Sequence, residues 1–221
     1  MGTITRSLAN NVLTDGIISA SGFNNDSFTN ITVWPAGISA GNYVQISENE
    51  ISSPVSSVSV TSGLTSTYNM YLIKFNGIQV ATDGVNVTFN GSTDGGSNYN
   101  VAKTTTYTRA VHDESNTSTS WSYETDKDLA NSTSAQRLSH VQSNDADATM
   151  CGFIWLFNPA DTTYKKKFMA DIQFSQQGPY SFNAQISGIF ETASAINAFQ
   201  IATTSGNLTA GKIKLYGLKD A

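Results

Sequence analysis

The chain has 221 residues, a formal net charge of −5 at pH 7 and a charged fraction of only 13%. An average soluble domain has roughly 25% charged residues. Hydroxyl and amide groups replace the missing charges, since Ser, Thr and Asn make up about a third of the chain. Such a surface suits packing against copies of itself or against sugars, and the lack of a basic stripe excludes nucleic acid as a partner.

Neither a targeting segment nor a membrane span is predicted. The opening MGTITRSLANNV lacks the apolar core of a signal peptide, and no run of about 18 apolar residues occurs. We therefore expect a protein that is made in the cytoplasm and is not inserted into a membrane. Cys151 is the only cysteine and lies within the apolar run MCGFIWLF, so we expect a small buried side chain and no internal disulfide.

Residues 1–40 differ from the rest of the chain. They are rich in Asn, Ser, Thr and Gly, and their scattered apolar residues have poor periodicity. Alone, such a segment buries too little apolar surface to order itself. We predict an irregular docking arm over residues 1–40, with Phe23, Phe28 and Trp34 as its assembly contacts, and a separate β domain over residues 41–221.

From residue 42 onward, alternating runs predict strands separated by turn-forming clusters at spacings of roughly 8 to 15 residues. An edge strand or the start of a strand is expected after Pro54, because proline in sheets is confined to such positions. The runs are, in chain order, YVQI, VSSVSV, YNMYLIKFNGI, VNVTFN, YNVAKTTTYTRAV, TSWSYE, QRLSHVQ, MCGFIWLFNP, TYKKKFMADIQF, YSFNAQISGIF, INAFQIAT and GKIKLYGL. These are about ten to twelve strands, with almost no sign of a helix and no propeller-length repeat. The predicted fold is all-β, a two-sheet antiparallel β-sandwich resembling a jelly roll.

The last third of the chain gives the clearest patterns. MCGFIWLFNP is apolar at every position of its strand, which predicts a central strand covered on both faces. In TYKKKFMADIQF, alternation places Phe168 and Ile172 on the inner face and predicts that Lys166 lies at the sheet end with its ammonium in water. In the terminal strand, which we expect to close one sheet, Ile213 and Leu215 should point inward while the flanking lysines cover the outer face.

The stretch GSTDGGSNY nearly matches S-x-D-x-G-x-T-W, the Asp-box of sialidase propellers. In those proteins the box recurs and is a fold element, whereas this chain has one imperfect copy. Asp94 can accept backbone N–H bonds, and Gly95 and Gly96 allow positive φ. Because the stretch joins two predicted strands, we interpret it as a hairpin turn.

Two other polar segments are candidate sites, each with a simpler interpretation. HDES contains His112 and Asp113, which could form an acid–base pair or one side of a metal site, but a polar loop ending a long strand is favoured. SNDADAT contains Asp145 and resembles half of a calcium loop. Counted from Asn144, Thr149 and Trp155 stand where such a loop needs Gly and Glu, so a surface turn is favoured. No cofactor, metal or catalytic residue is predicted.

Trp121 and Tyr123 share one face of the predicted strand TSWSYE. Two rings on a polar strand could stack on sugars. They could equally lie in the core or at a subunit contact, which is the favoured interpretation.

The end of the chain, TTSGNLTAGKIKLYGLKD, resembles a family of virion structural proteins from tailed bacteriophages of marine bacteria, whose chains close on s-G-x-i-x-x-G-x-I-x-L-Y-G-l. The stretches YNMYLIKFNGIQVATDGVNVTF, STDGGSNYNVAKTTTYTRAVHDES and CGFIWLFNP are also similar, so the resemblance covers about residues 55–219. Met150 and Cys151 depart from it, standing where more polar residues are expected. The family includes proteins described as tail-fibre-like, and the resemblance implies no catalytic residues.

Together these arguments predict a non-enzymatic virion protein on the particle exterior, as a head-decorating protein or a tail or fibre component. Its expected partners are copies of itself and other virion proteins. The alternative is a carbohydrate-binding module that recognises host-surface glycans through His112, Asp113, Trp121, Tyr123 and Asp145. A glycan hydrolase using Asp113 or Glu114 ranks third.

Overall fold

The computed structural model describes residues 42–219, and these form the predicted all-β sandwich of two antiparallel sheets. The predicted arm over residues 1–40, with Phe23, Phe28 and Trp34, lies outside the described residues. Twelve strands are formed in the described part, in agreement with the sequence. They are β1 (Tyr43–Ile51), β2 (Ser57–Val60), β3 (Met70–Val80), β4 (Val87–Ser92), β5 (Lys103–Asp113), β6 (Thr119–Tyr123), β7 (Gln136–Arg137), β8 (Met150–Phe157), β9 (Lys167–Ser175), β10 (Tyr180–Phe190), β11 (Ala198–Thr203) and β12 (Leu208–Leu218).

The two sheets differ in size. The large sheet has eight strands in the order β1-β12-β3-β8-β9-β10-β5-β6, and the small sheet has four in the order β2-β11-β4-β7. β1 pairs with β12, and β2 with β11, so the first two strands nest against the last two as in a jelly roll. β2 is an edge strand as predicted after Pro54. β12 does not close the large sheet, because β1 pairs along its outer side.

The core lies between the facing sheets and follows the predicted alternation. Phe168 and Ile172 of β9 and Ile213 and Leu215 of β12 are all buried. At its centre, the ring of Phe89 in the small sheet contacts three other rings. The centroid distances are 5.5 Å to Phe168, 6.1 Å to Phe190 and 6.3 Å to Phe199. Since Phe168 and Phe190 belong to the large sheet, this cluster joins the two layers.

The prediction that β8 is covered on both faces is wrong. β8 is central in its sheet, between β3 and β9, but only its inner side chains are buried. On the outer face Phe153 is 38% exposed and Trp155 is half-buried. Cys151 is also partly exposed on this face, where its Sγ accepts a hydrogen bond of 3.3 Å from the Gly77 N–H. An apolar outer face and a covered face give the same sequence pattern, which explains the error.

The predicted position of Lys166 is also wrong, because its side chain is 1% exposed and does not reach water. Its Nζ donates hydrogen bonds to the carbonyl oxygens of Tyr164, at 3.0 Å, and Ala193, at 2.5 Å. Burial lowers the pKa of this ammonium group.

Candidate functional site

The outer face of the large sheet brings the predicted aromatic pair into solvent. Trp121 is 72% exposed and Tyr123 is 47% exposed, both on the edge strand β6. They pair with Ala110 and Thr108 of β5, so all four side chains share the outer face. The core interpretation of this pair is therefore wrong, and a subunit contact or a sugar-stacking platform remains.

Polar side chains adjoin the two rings on the neighbouring strands. One row across the sheet runs from Tyr123 through Thr108 and Gln185 to Asp171. The next runs from Trp121 through Ala110 and Asn183 to Gln173. Asn183 donates a hydrogen bond of 2.5 Å to the Asp171 carboxylate. Amides and carboxylates beside exposed rings can bind sugar hydroxyls while the rings stack on C–H faces.

His112 lies on the same outer face and is exposed. It pairs with Thr119 of β6, two residues from Trp121, so the imidazole and the indole are diagonal neighbours. Its Nε2 is 3.2 Å from the Asn116 Oδ1. On the other side it pairs with Ser181 of β10. The structure thus places His112 beside the aromatic pair.

Asp145 lies beyond this face, on the rim of a cavity of about 580 Å³ that Glu114 and Ser181 also line. Its carboxylate accepts a hydrogen bond of 2.9 Å from the Ser143 hydroxyl, and its carbonyl accepts one from the Ala148 N–H at 2.9 Å. This is the predicted surface turn. Among residues 42–219, no group of three or more His, Cys, Asp or Glu side chains could hold a metal ion.

Asp113 does not belong to the exposed face, because it lies on the inner side of β5 and is 5% exposed. Its carboxylate accepts hydrogen bonds from the hydroxyls of Ser115 at 2.6 Å and Thr117 at 2.5 Å, and from the N–H groups of Thr117 at 2.9 Å and Ser118 at 2.8 Å. These donors hold its pKa well below the ordinary value, the Ser115 hydroxyl most strongly. Asp113 is an ionised, loop-stabilising residue, which suits neither a proton donor nor a ligand contact.

We expect Asp113→Asn to destabilise the protein at neutral pH and to matter less as the pH falls. The pKa of Asp113 is lower in the folded chain, so its stabilisation is full above about pH 4, the unfolded value, and is lost as the pH falls toward the folded pKa. The difference in melting temperature between wild type and variant is measured at pH 7, 4 and 2.5. Asp147→Asn, on an exposed turn, is the control. A difference in melting temperature that stays constant across this pH range would contradict the stabilising role of the ionised Asp113 carboxylate.

The stretch GSTDGGSNY is a turn, as predicted. The Asp94 carboxylate accepts hydrogen bonds from the Asn98 side-chain amide at 2.7 Å, the Ser92 hydroxyl at 2.7 Å and the Asn98 N–H at 2.9 Å. These bonds, that from the Asn98 side chain first, lower the pKa of Asp94 to about 2. Gly95 and Gly96 have φ of 72° and 92°, a region that favours glycine.

A second feature of the outer face, which we call the apolar strip, crosses the other half of the large sheet. It is centred on β8, whose outer side chains Phe153, Trp155 and Phe157 occupy three successive rows. Tyr43 is 53% exposed, Met169 54% and Ile189 37%. The strip consists of Tyr43, Met70, Leu72, Phe153, Trp155, Phe157, Met169, Ile189 and Leu218.

The sequence analysis missed the apolar strip and the polar rows beside the rings. Asn183 and Gln185 alternate with buried Phe182, Ala184 and Ile186, so the alternation of YSFNAQISGIF was an available signal. No comparable signal identified the strip, because its members come from six strands whose order the sequence does not give.

Comparison of the chain with protein-family models, curated proteins and solved structures gives no match. Within residues 42–219 the structure contains no helix with the length and hydropathy to cross a membrane.

Proposed function

We propose that the chain is a non-enzymatic structural protein of a tailed-bacteriophage virion. It sits on the particle exterior, as a head-decorating protein or a tail or fibre component, and associates symmetrically with copies of itself. The sequence resemblance over residues 55–219 supports this proposal, as does the weakly charged, hydroxyl- and amide-rich surface.

The observation that carries the proposal is the apolar strip. Large side chains lie exposed or half-exposed side by side on the outer face of the large sheet, among them Phe153, Trp155 and Met169. A monomeric protein rarely exposes a contiguous apolar patch beyond about 300–600 Å², and such patches usually mark an interaction surface. Isolated exposed apolar residues would need no such explanation.

Immunogold electron microscopy of purified particles tests the location. Antibodies raised against residues 42–219 should label intact particles at symmetric positions on their exterior. The control is the same serum after its specific antibodies have been removed by adsorption to the protein fragment. Particles that remain unlabelled, while the same antibodies detect the protein in the lysate, would overturn the proposal.

A second candidate function, recognition of host-surface glycans, is favoured by the exposed pair Trp121 and Tyr123. The rings adjoin the amide of Gln185 and the Asp171–Asn183 hydrogen bond, so stacking and hydroxyl recognition are available on one surface. The two functions are compatible, since an exterior virion component can also bind a receptor.

We expect Trp121→Ala to weaken glycan binding at least about tenfold, because stacking of one ring contributes roughly 1–3 kcal/mol in comparable aromatic contacts. The melting temperature should hardly change, since the indole is 72% exposed. Glycan-array binding followed by calorimetry measures the effect. Tyr164→Ala, which removes a ring that is 73% exposed on a loop, is the matched control. A wild-type protein that binds no host-surface glycan would remove this candidate.

A further inference from the structure

We propose that two copies of the chain pack face to face through the apolar strip, as a symmetric dimer whose two-fold axis runs along β8. This inference rests on the proposed self-association and names its surface and symmetry. A two-fold interface uses the same patch on both copies, so each side chain must suit the one that the axis brings opposite. The arrangement of residues around β8 meets this requirement.

The outer side chains form rows across the sheet that are centred on β8. In the first row Phe153 lies between Lys74 of β3 and Asp171 of β9, its direct partners. In the second row Trp155 lies between Leu72 and Met169. Adjacent strands are about 4.8 Å apart, so the flanking residues of each row stand at equal distances from β8.

A two-fold axis along β8 exchanges the two sides of every row. Lys74 of one copy then faces Asp171 of the other, and the symmetry makes this contact twice. An axis across the strands through this row would place Lys74 opposite Lys74, which is repulsive, and one through the row of Trp155 would place Lys74 opposite Met70. Of these axes, only the one along β8 gives Lys74 a carboxylate partner. Among the described residues neither charge has an ion-pair partner within the chain, so both are available.

The same operation matches apolar side chains in the other rows. Leu72 of one copy faces Met169 of the other, and Trp155 meets its own copy on the axis. In the third row, Leu218 of β12 and Ile189 of β10 lie two strands from Phe157 on opposite sides. They too face each other across the dimer, while Lys167, which lies between Phe157 and Ile189, faces Met70 of the other copy.

The strip is large enough for a specific contact. It spans six strands, from β1 to β10, and three rows. With a strand spacing of about 4.8 Å and a rise of about 3.4 Å per residue, this corresponds to roughly 24 Å by 14 Å between Cα positions. Side chains extend the footprint, so two copies would bury on the order of 1,000 Å², which is the lower bound for a specific interface.

The dimer leaves the aromatic pair of β6 accessible. β6 is four strands from β8, whereas β1 on the opposite side is only three strands away. After the two-fold exchange, β6 lies beyond the edge of the other copy. Trp121 and Tyr123 therefore stay in solvent, whereas Asp171 and Gln185 of the same row lie under the other copy, so the dimer presents the two rings without these polar groups.

Sedimentation equilibrium of the full chain at low ionic strength tests the dimer by charge reversal. Lys74→Glu and Asp171→Lys each create two repulsive contacts, so each variant should dissociate at least about tenfold more readily than wild type. Mixed in equal amounts, the two variants restore both attractive contacts and should form a heterodimer with close to wild-type affinity. Lys219→Glu, the same charge change outside the strip, is the control, and melting curves check that each variant is folded.

Trp155→Ser gives an independent test, because it removes the apolar centre without changing charge, and it should dissociate the dimer about a hundredfold more readily. A wild-type chain that stays monomeric, or two charge variants that do not recombine, would overturn this interface. Neither result bears on whether the chain is present in particles, so the proposed place on the virion exterior would still stand on the labelling experiment.

Discussion

Replacing Phe89 with alanine is expected to lower the free energy of unfolding by about 3–5 kcal/mol, the cost of removing a buried aromatic side chain and leaving a cavity. Phe89 is fully buried and contacts Phe168 and Phe190 of the opposite sheet. The variant should therefore lose cohesion between the layers. Urea denaturation at low protein concentration measures the change.

Phe153→Ala is the matched control, since the same ring is removed from the outer face, where it is 38% exposed. Its cost to the isolated chain should be below about 1 kcal/mol. Equal losses for the two variants would contradict the division of the large sheet into a core face and an interaction face.

Lys103→Met is expected to lower the free energy of unfolding by about 2–4 kcal/mol at pH 7, because buried acceptors lose their donor. The Lys103 side chain is fully buried, and its Nζ donates to the Asn90 Oδ1 at 2.8 Å and to the carbonyl oxygens of Val101 at 3.1 Å and Ser134 at 2.7 Å. None of these acceptors is a carboxylate, so burial dominates and lowers the pKa of Lys103 to about 8.

The effect of Lys103→Met should grow with pH. Between the folded pKa of about 8 and the ordinary 10.5, the unfolded chain binds the proton more tightly than the folded chain. The wild type therefore gains stability as the pH rises through this window, on the order of 3 kcal/mol, while the variant does not. Denaturation at pH 7, 9 and 10 measures the difference in the free energy of unfolding between wild type and variant, with Lys219→Met as control. A difference that becomes smaller as the pH rises would show that the Lys103 ammonium group does not cause the pH dependence.

Alternation predicted the core correctly wherever one face is buried and the other polar. Phe168 and Ile172 alternate with outward residues that include Asp171 and Gln173, and Ile213 and Leu215 alternate with lysines, so the inward face of each strand followed directly. Turn chemistry was equally local: Asp94 bonds to Ser92 and Asn98, within four residues of itself. Such features need no knowledge of the sheet order.

The errors arose where burial depends on distant parts of the chain. Whether Phe153 is covered depends on what packs over the sheet, and the hydrophobic periodicity of the sequence does not show this. Lys103 and Lys166 are buried because carbonyl groups from remote loops converge on their ammonium groups. Lysine as a residue type instead predicts exposure.

The candidate site was predictable only in part, for the same reason. Alternation within one strand placed Trp121 and Tyr123 on a common face, but it did not predict that this face is exposed. Their polar neighbours Asp171, Asn183 and Gln185 belong to strands about 50 to 60 residues later, and they reach the rings only through the order β9-β10-β5-β6. The apolar strip depends in the same way on the order β1-β12-β3-β8-β9-β10.

The measurement that tests the account most directly is the amount of this chain in purified phage particles, by quantitative mass spectrometry against the major shell protein. The account predicts a fixed stoichiometry. A ratio set by the shell symmetry indicates a head-decorating protein, and a few symmetric copies indicate a tail or fibre component. Particles that contain none of the chain would contradict the proposed function and leave glycan recognition as the better account.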